Sequence, residues 1–242
     1  EDAFPVGAVP TLSAAGSETS DASVITNDDG MLKRGYCSDY GHCKFALLNP
    51  ELTSTLPFYQ TASGCVDIIM HTLERYFSGQ RDARLQDSIA EALIRTVIGS
   101  AEILRDHPDD YSARADVMWA SELSHNGVTG SRFAGDWACH QLEHELGGMF
   151  DVAHGAGLAA VWGTWARYVM DVNPARFARL GRNVFNIVSS DDRDAAIKCI
   201  AAMESFFKSI GMPTRIPDMG VNPTAEEIEE LAYKCSFGGE RK

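Results

Sequence analysis

Thr61-Ala-Ser-Gly-Cys-Val-Asp-Ile-Ile-Met-His-Thr-Leu-Glu-Arg-Tyr-Phe-Ser78 is the stretch on which the reading of the fold turns. Val66, Ile69, Leu73 and Phe77 recur at spacings of three and four, the period of a helix with one apolar stripe. The spacing predicts a helix over Thr61–Ser78. Within it Asp67 and His71 stand at i and i+4, so carboxylate and imidazole project from one face. Val66, Ile68, Ile69 and Met70 surround the pair, so that face is read as buried. A buried carboxylate is costly unless a cation or hydrogen bonds satisfy it. The plain alternative is an Asp–His pair facing water.

Helical periodicity continues downstream. Leu85, Ile89, Leu93, Val97 and Leu104 mark a helix over Asp82–Asp106, stopped by Pro108. Further helices are expected at Ser112–Ser124, Asp136–Met149, Gly157–Met170, Pro174–Val188, Asp192–Ile210 and Thr224–Lys234. Pro174 and Thr224 read as helix starts, and Gly211 before Pro213 as an end. Upstream the texture changes. Phe4–Val9, Ala22–Thr26 and Phe45–Leu48 are β-prone, and Asn27-Asp28-Asp29-Gly30 is hairpin chemistry. So few strands make a marginal ribbon in water, and the expectation is that they need partner strands from outside the chain. The fold class expected is mainly α, a helical bundle behind a short β-rich entry.

The 242 residues allow one large or two small domains. Acidic side chains outnumber basic ones 34 to 21, a formal charge of −13, which argues against nucleic acid or an anionic membrane as main partner. The longer uncharged stretches fall short of the ~20 residues a membrane span needs. Cys37, Cys43, Cys65, Cys139, Cys199 and Cys235 are scattered, with no Cys-x-x-Cys pair, which reads as reduced intracellular thiols and a cytoplasmic setting. The first residue is Glu1, not Met, and no secretory signal is visible, so a piece of a longer protein is one expectation.

The chemistry concentrates in His140-Gln-Leu-Glu143-His144, followed by Gly147-Gly148 and His154-Gly155. Three of the chain's seven histidines fall within fifteen residues. His140 and His144 are one helical turn apart, and Gly147-Gly148 is expected to end or kink that helix so that the returning chain presents His154. One carboxylate with several neutral imidazoles suits Zn²⁺ or Fe²⁺, not Ca²⁺ or Mg²⁺. Two wirings are open. His140-x-x-Glu143-His144 matches a zinc-peptidase pattern in which Glu143 activates water. The other takes Asp67, His71, His140 and His154 as four ligands with His144 beside them; it alone employs Asp67 and His154 and is preferred. The bland reading is a half-exposed helix whose histidines pair with Glu143 and Glu145. Pro10–Thr19, rich in small and hydroxyl residues after a strand, is a turn or a place where phosphate or ribose approaches Thr11 and Ser13.

Pro10-Thr-Leu-Ser-Ala-Ala-Gly-Ser-Glu18 resembles the P-T-T-A-G-T-G-S-E segment of iron-containing (group III) alcohol dehydrogenases. Leu48-Asn49-Pro50-Glu51-Leu52-Thr53 resembles their D-P-x-L-T segment, with Asn49 for Asp. Gly64-x-x-Asp67-x3-His71 resembles their G-x-D-A-x-x-H helix, and His140-x3-His144-x9-His154-Gly155 their histidine cluster. Asp110-Tyr111-x2-Arg114-Ala115-x-Val117-Met118-Trp119-Ala120 is closest to the NADPH-dependent butanol dehydrogenases and aldehyde reductases of that family. Leu12 and Ala15 stand where threonines are common.

The resemblance implies the all-helical metal-binding domain of the dehydroquinate synthase-like fold over residues 61–242. Residues 1–60 would be the C-terminal edge of an α/β nucleotide-binding domain whose main part, with its Gly-Gly-Gly-Ser phosphate turn, would precede Glu1. It implies Fe²⁺ or Zn²⁺ on Asp67, His71, His140 and His154, and His144 as proton relay or positioning group. Thr11, Ser13, Lys33 and Leu52 would meet the cofactor, NADPH in preference to NADH. The activity implied is interconversion of butanol-like primary alcohols and aldehydes by a homodimer, with this chain alone inactive. A zinc peptidase and a non-catalytic metal-binding module are the rival functions.

Overall fold

A computed structural model describes residues 4–78, 83–130 and 137–240. The expected helix starts at Asp82 and Asp136 lie outside the described residues. Among the described residues eight α-helices follow the entry segment: α1 Phe58–Tyr76, α2 Arg84–Asp106, α3 Tyr111–His125, α4 Ala138–Phe150, α5 His154–Val169, α6 Pro174–Phe185, α7 Asp192–Ser209 and α8 Ala225–Cys235. None is long and apolar enough to cross a membrane. Local chemistry sets their ends. Asp110, Asn173 and Asp191 cap α3, α6 and α7 through side-chain oxygens on backbone N–H groups, and Thr224 with Glu227 forms a capping box on α8. Helix α6 stops three residues before the expected Val188, because Asn186 turns left-handed at φ 55°.

Helix α1 is the axis of the bundle. Every residue from Thr61 through Tyr76 is buried, against the single apolar stripe the spacing suggests. Helices α2, α3, α4 and α5 surround it, so its polar face is enclosed as well. The core around it includes Ile69, Leu73, Ile94, Val97, Leu158, Trp162, Leu180 and Phe207.

The entry segment is thinner. Strands β1 (Gly7–Ala8) and β4 (Phe45–Ala46) pair in parallel for two residues each, shorter than the runs Phe4–Val9 and Phe45–Leu48 expected. Strands β2 (Ala22–Asn27) and β3 (Leu32–Cys37) form an antiparallel hairpin with Ala22 opposite Cys37 and Asn27 opposite Leu32. Polar Leu-Lys-Arg-Gly-Tyr-Cys carries no apolar alternation; the turn after Asn27 sets its register. Within this chain the hairpin lies against helix α4. A Cβ added to Gly148 would stand 2.8 Å from the Met31 carbonyl oxygen, so the ribbon lies on α4 where a side chain is missing. That is also why Gly147-Gly148 neither ends nor turns the helix. It runs on to Phe150, and Asp151, at φ 52°, closes it.

Candidate metal centre

Helix α1 brings Asp67 and His71, α4 brings His140 and His144, and α5 opens on His154. Asp67 Oδ1 lies 3.5 Å from His140 Nε2, 3.5 Å from His154 Nε2 and 3.6 Å from His71 Nδ1. Asp67, His140 and His154 offer donor atoms within 4.8 Å of one another. His71 joins through Asp67, its ring stacked on that of His140 with centroids 4.6 Å apart. Asp67, His71 and His140 are buried, and His154, with 30% of its side chain exposed, is the open side.

Asp67 Oδ1, His71 Nδ1 and His140 Nε2 are out of reach of water and have no hydrogen-bond partner. Leaving such an atom unmet costs about 1–3 kcal/mol, more for a charged group. Three of them at one point have a common remedy, a cation between them. Ligands about 2.1 Å from a tetrahedral zinc sit about 3.4 Å from each other, close to the separations here. One oxygen and up to three imidazole nitrogens could hold Zn²⁺ or Fe²⁺.

Two carboxylates stand behind the imidazoles. Glu74 Oε1 accepts from the backbone N–H of Cys139 (3.1 Å) and His140 (3.2 Å) and faces His140 Nδ1 at 3.3 Å. It does the work of a cap for α4, whose N-cap residue Trp137 makes no side-chain capping bond. Glu143, whose side chain is fully buried, hydrogen-bonds His154 Nδ1 and pairs with Lys33 Nζ at 3.1 Å. The zinc-peptidase wiring is therefore not favoured: Glu143 is held by Lys33 and His154, while His140 Nε2 faces Asp67.

Burial shapes the charges. It would push the Asp67 carboxyl up, but His71, His154 and His140 outweigh it and hold it well below the usual range. Burial drives His71 well below its ordinary value, which leaves the ring neutral. Burial also opposes charge on His140, yet the neighbouring Asp67 and Glu74 carboxylates lift it to about 9. Burial pushes His144 down to about 4, so this ring is neutral near pH 7. Its centroid is 5.7 Å from that of His154.

The remaining expected residues are spread out. Ser13 and Thr53 line a cavity of about 10 Å³ between the entry segment and the bundle. Thr11 is exposed, and Leu52 stands exposed on the 3-10 turn Pro50–Thr53. Lys33, on β3, is occupied by Glu143. Arg114 staples that turn to α3, donating to Thr53 O at 2.6 Å and Pro108 O at 2.5 Å. Sequence reasoning missed Glu74, although it lies three residues after His71 and seven after Asp67 on the same face. It also missed the aromatic wall of His125 and Trp137. The His125 and His71 centroids are 4.3 Å apart, and Trp137 packs edge-on to His140 at 5.3 Å.

The helical bundle, with one carboxylate ringed by histidines, has the dehydroquinate synthase-like fold. The sequence profile of the Fe-containing alcohol dehydrogenase family, C-terminal, matches residues 61–237, and the chain belongs to that family. It is 39% identical over 238 residues to the NADH-dependent butanol dehydrogenase A of Clostridium acetobutylicum, covering 98% of this chain and 61% of that protein. It is 36% identical over 222 residues to the NADPH-dependent aldehyde reductase YqhD of Escherichia coli, covering 92% and 57%. The crystal structure of the NADH-dependent butanol dehydrogenase A of Thermotoga maritima superposes with a TM-score of 0.93 at 37% identity, covering all of this chain and 60% of that one. The chain thus spans about three fifths of the length of the relatives it matches.

Proposed function

We propose that the whole protein is a metal-dependent alcohol dehydrogenase or aldehyde reductase that interconverts butanol-like primary alcohols and aldehydes with NAD(P)H. The supporting observation is the set of unmet buried donors around Asp67 in a chain of this family. Asp67, His71, His140 and His154 would hold Fe²⁺ or Zn²⁺. When bound, the ion supplies Lewis acidity at the substrate oxygen and the nicotinamide carries hydride.

The chain's own residues do the rest. Asp67 brings the negative charge, and Glu74 and Glu143 orient His140 and His154. His144, neutral near pH 7, stands beside His154 as the proton relay or positioning group. Thr11, Ser13, Leu52 and a remaining N–H of Lys33 would meet the cofactor. The relatives' names divide between NADH and NADPH. NADPH is proposed for this protein, and separate titrations with the two dinucleotides decide it. Residues 1–60 would be the edge of the cofactor domain and residues 61–242 the catalytic domain, in a cytoplasmic homodimer. The 242-residue chain alone would bind metal without NADPH-linked turnover, and turnover by it would overturn that part.

Elemental analysis beside His154→Ala and Asp67→Ala tests the centre. About one Fe or Zn per chain is expected, lost in both variants. Metal retained by both variants would return the choice to the His140–His144 pair, and peptidase activity abolished by Glu143→Gln would overturn the dehydrogenase reading.

A further inference from the structure

We propose that Glu143 is the positioning residue of this centre, holding the proton of His154 on Nδ1 so that the Nε2 lone pair faces Asp67. The inference rests on the metal reading above and deepens it. His154 needs such a partner more than the other rings. It is the first residue of α5, and almost a third of its side chain is open, so packing alone does not fix its tautomer. A neutral imidazole with its proton on Nε2 would present N–H, not a lone pair, to an ion beside Asp67.

Glu143 is built for the task. Its side chain is fully buried, and Oε2 hydrogen-bonds His154 Nδ1. Lys33 Nζ lies 3.1 Å from Oε2 and 3.3 Å from Oε1, which compensates a carboxylate that would otherwise be buried alone. The carboxylate is boxed in. A Cβ on Gly157 would stand 2.7 Å from Glu143 Cγ, and one on Gly147 2.8 Å from both Glu143 Oε1 and Lys33 Nζ. Lys33 also stands 3.5 Å from His154 Nδ1, so the rival arrangement has the ammonium donating to a bare Nδ1. The direct carboxylate contact favours the proton on Nδ1. An outer carboxylate that fixes a histidine tautomer typically carries roughly 10- to 100-fold in metal affinity.

The first test needs no variant. In the metal-stripped 242-residue chain at pH 8, ¹⁵N-labelled histidine NMR should find a proton on His154 Nδ1. A neutral ring protonated on Nε2 alone overturns the proposal. The second separates positioning from charge balance. Lys33→Met with Glu143→Leu removes both charges and the acceptor; Lys33→Met with Glu143→Gln removes both charges and keeps an acceptor. Chelator competition with zinc should show the Leu pair roughly 10- to 100-fold weaker than the Gln pair, with the His154 proton moved to Nε2 only in the former. Equal zinc affinity and equal tautomers in the two pairs overturn it. If the unsubstituted chain binds zinc no better than Asp67→Ala, the metal reading fails by itself, and the NMR result still decides what Glu143 does.

Discussion

The bundle around α1 and the ribbon before it are built on opposite terms. In the bundle, α1 is covered on all sides from Thr61 to Tyr76, and even its carboxylates and its one imidazole are enclosed by neighbouring helices. In the ribbon, Ile25 is 72% exposed and Val24 48%, and the hairpin rests chiefly on α4. Burial makes the difference. In the bundle it aligns polar atoms that water cannot reach, so their geometry carries chemistry. In the ribbon, backbone pairing holds shape with little apolar surface removed from water.

The largest break in that comparison is Trp162→Ala. Trp162 is fully buried against Phe207, and truncation should cost about 3–5 kcal/mol, read as a lower denaturant midpoint with unchanged slope. A loss under about 1 kcal/mol would mean the bundle is far looser than its packing.

Acid should weaken the site before the ribbon. Burial pushes His125 and His144 to about 4, whereas an unfolded histidine titrates near 6.5. Between these values the unfolded chain binds more protons. Their contribution is therefore complete above about pH 6.5 and lost as pH falls toward 4, on the order of 1–3 kcal/mol in the metal-free chain. Urea midpoints from pH 7 to 4 measure it, and His144→Gln should flatten the slope; a flat profile in the parent chain counts against the burial of both rings.

Smaller effects probe the ribbon. Gly148→Ala sets a methyl against the Met31 carbonyl and should cost about 1–3 kcal/mol, with faster amide exchange in Leu32–Cys37 than in α1. Uniform acceleration would mean ribbon and bundle open together. Ile25→Ser should change stability by less than about 0.5 kcal/mol; a larger loss would show that this face is covered in solution.

Legibility followed the same division. The helices were readable because three- and four-residue spacings and caps such as Asp191 and Thr224 are local. Asp67, His71 and the His140–His154 cluster were readable because helix geometry puts i and i+4 together. Strand Leu32–Cys37 was not, since its pairing comes from the turn and its polar side chains show no alternation. The role of Gly147-Gly148 was misread because a glycine pair near a helix end is a stop signal locally, whereas here it makes room for β3.

The sequence by itself determined a mainly helical bundle, an acidic surface and the identity of the histidine cluster, because these depend on period, count and short spacing. Tertiary structure alone decided what stands behind the imidazoles. Glu143 and Lys33 are 110 residues apart, and Glu74 and His140 are 66 apart. Their meeting depends on α4 lying against both α1 and the hairpin, and packing of separate elements has no local signature.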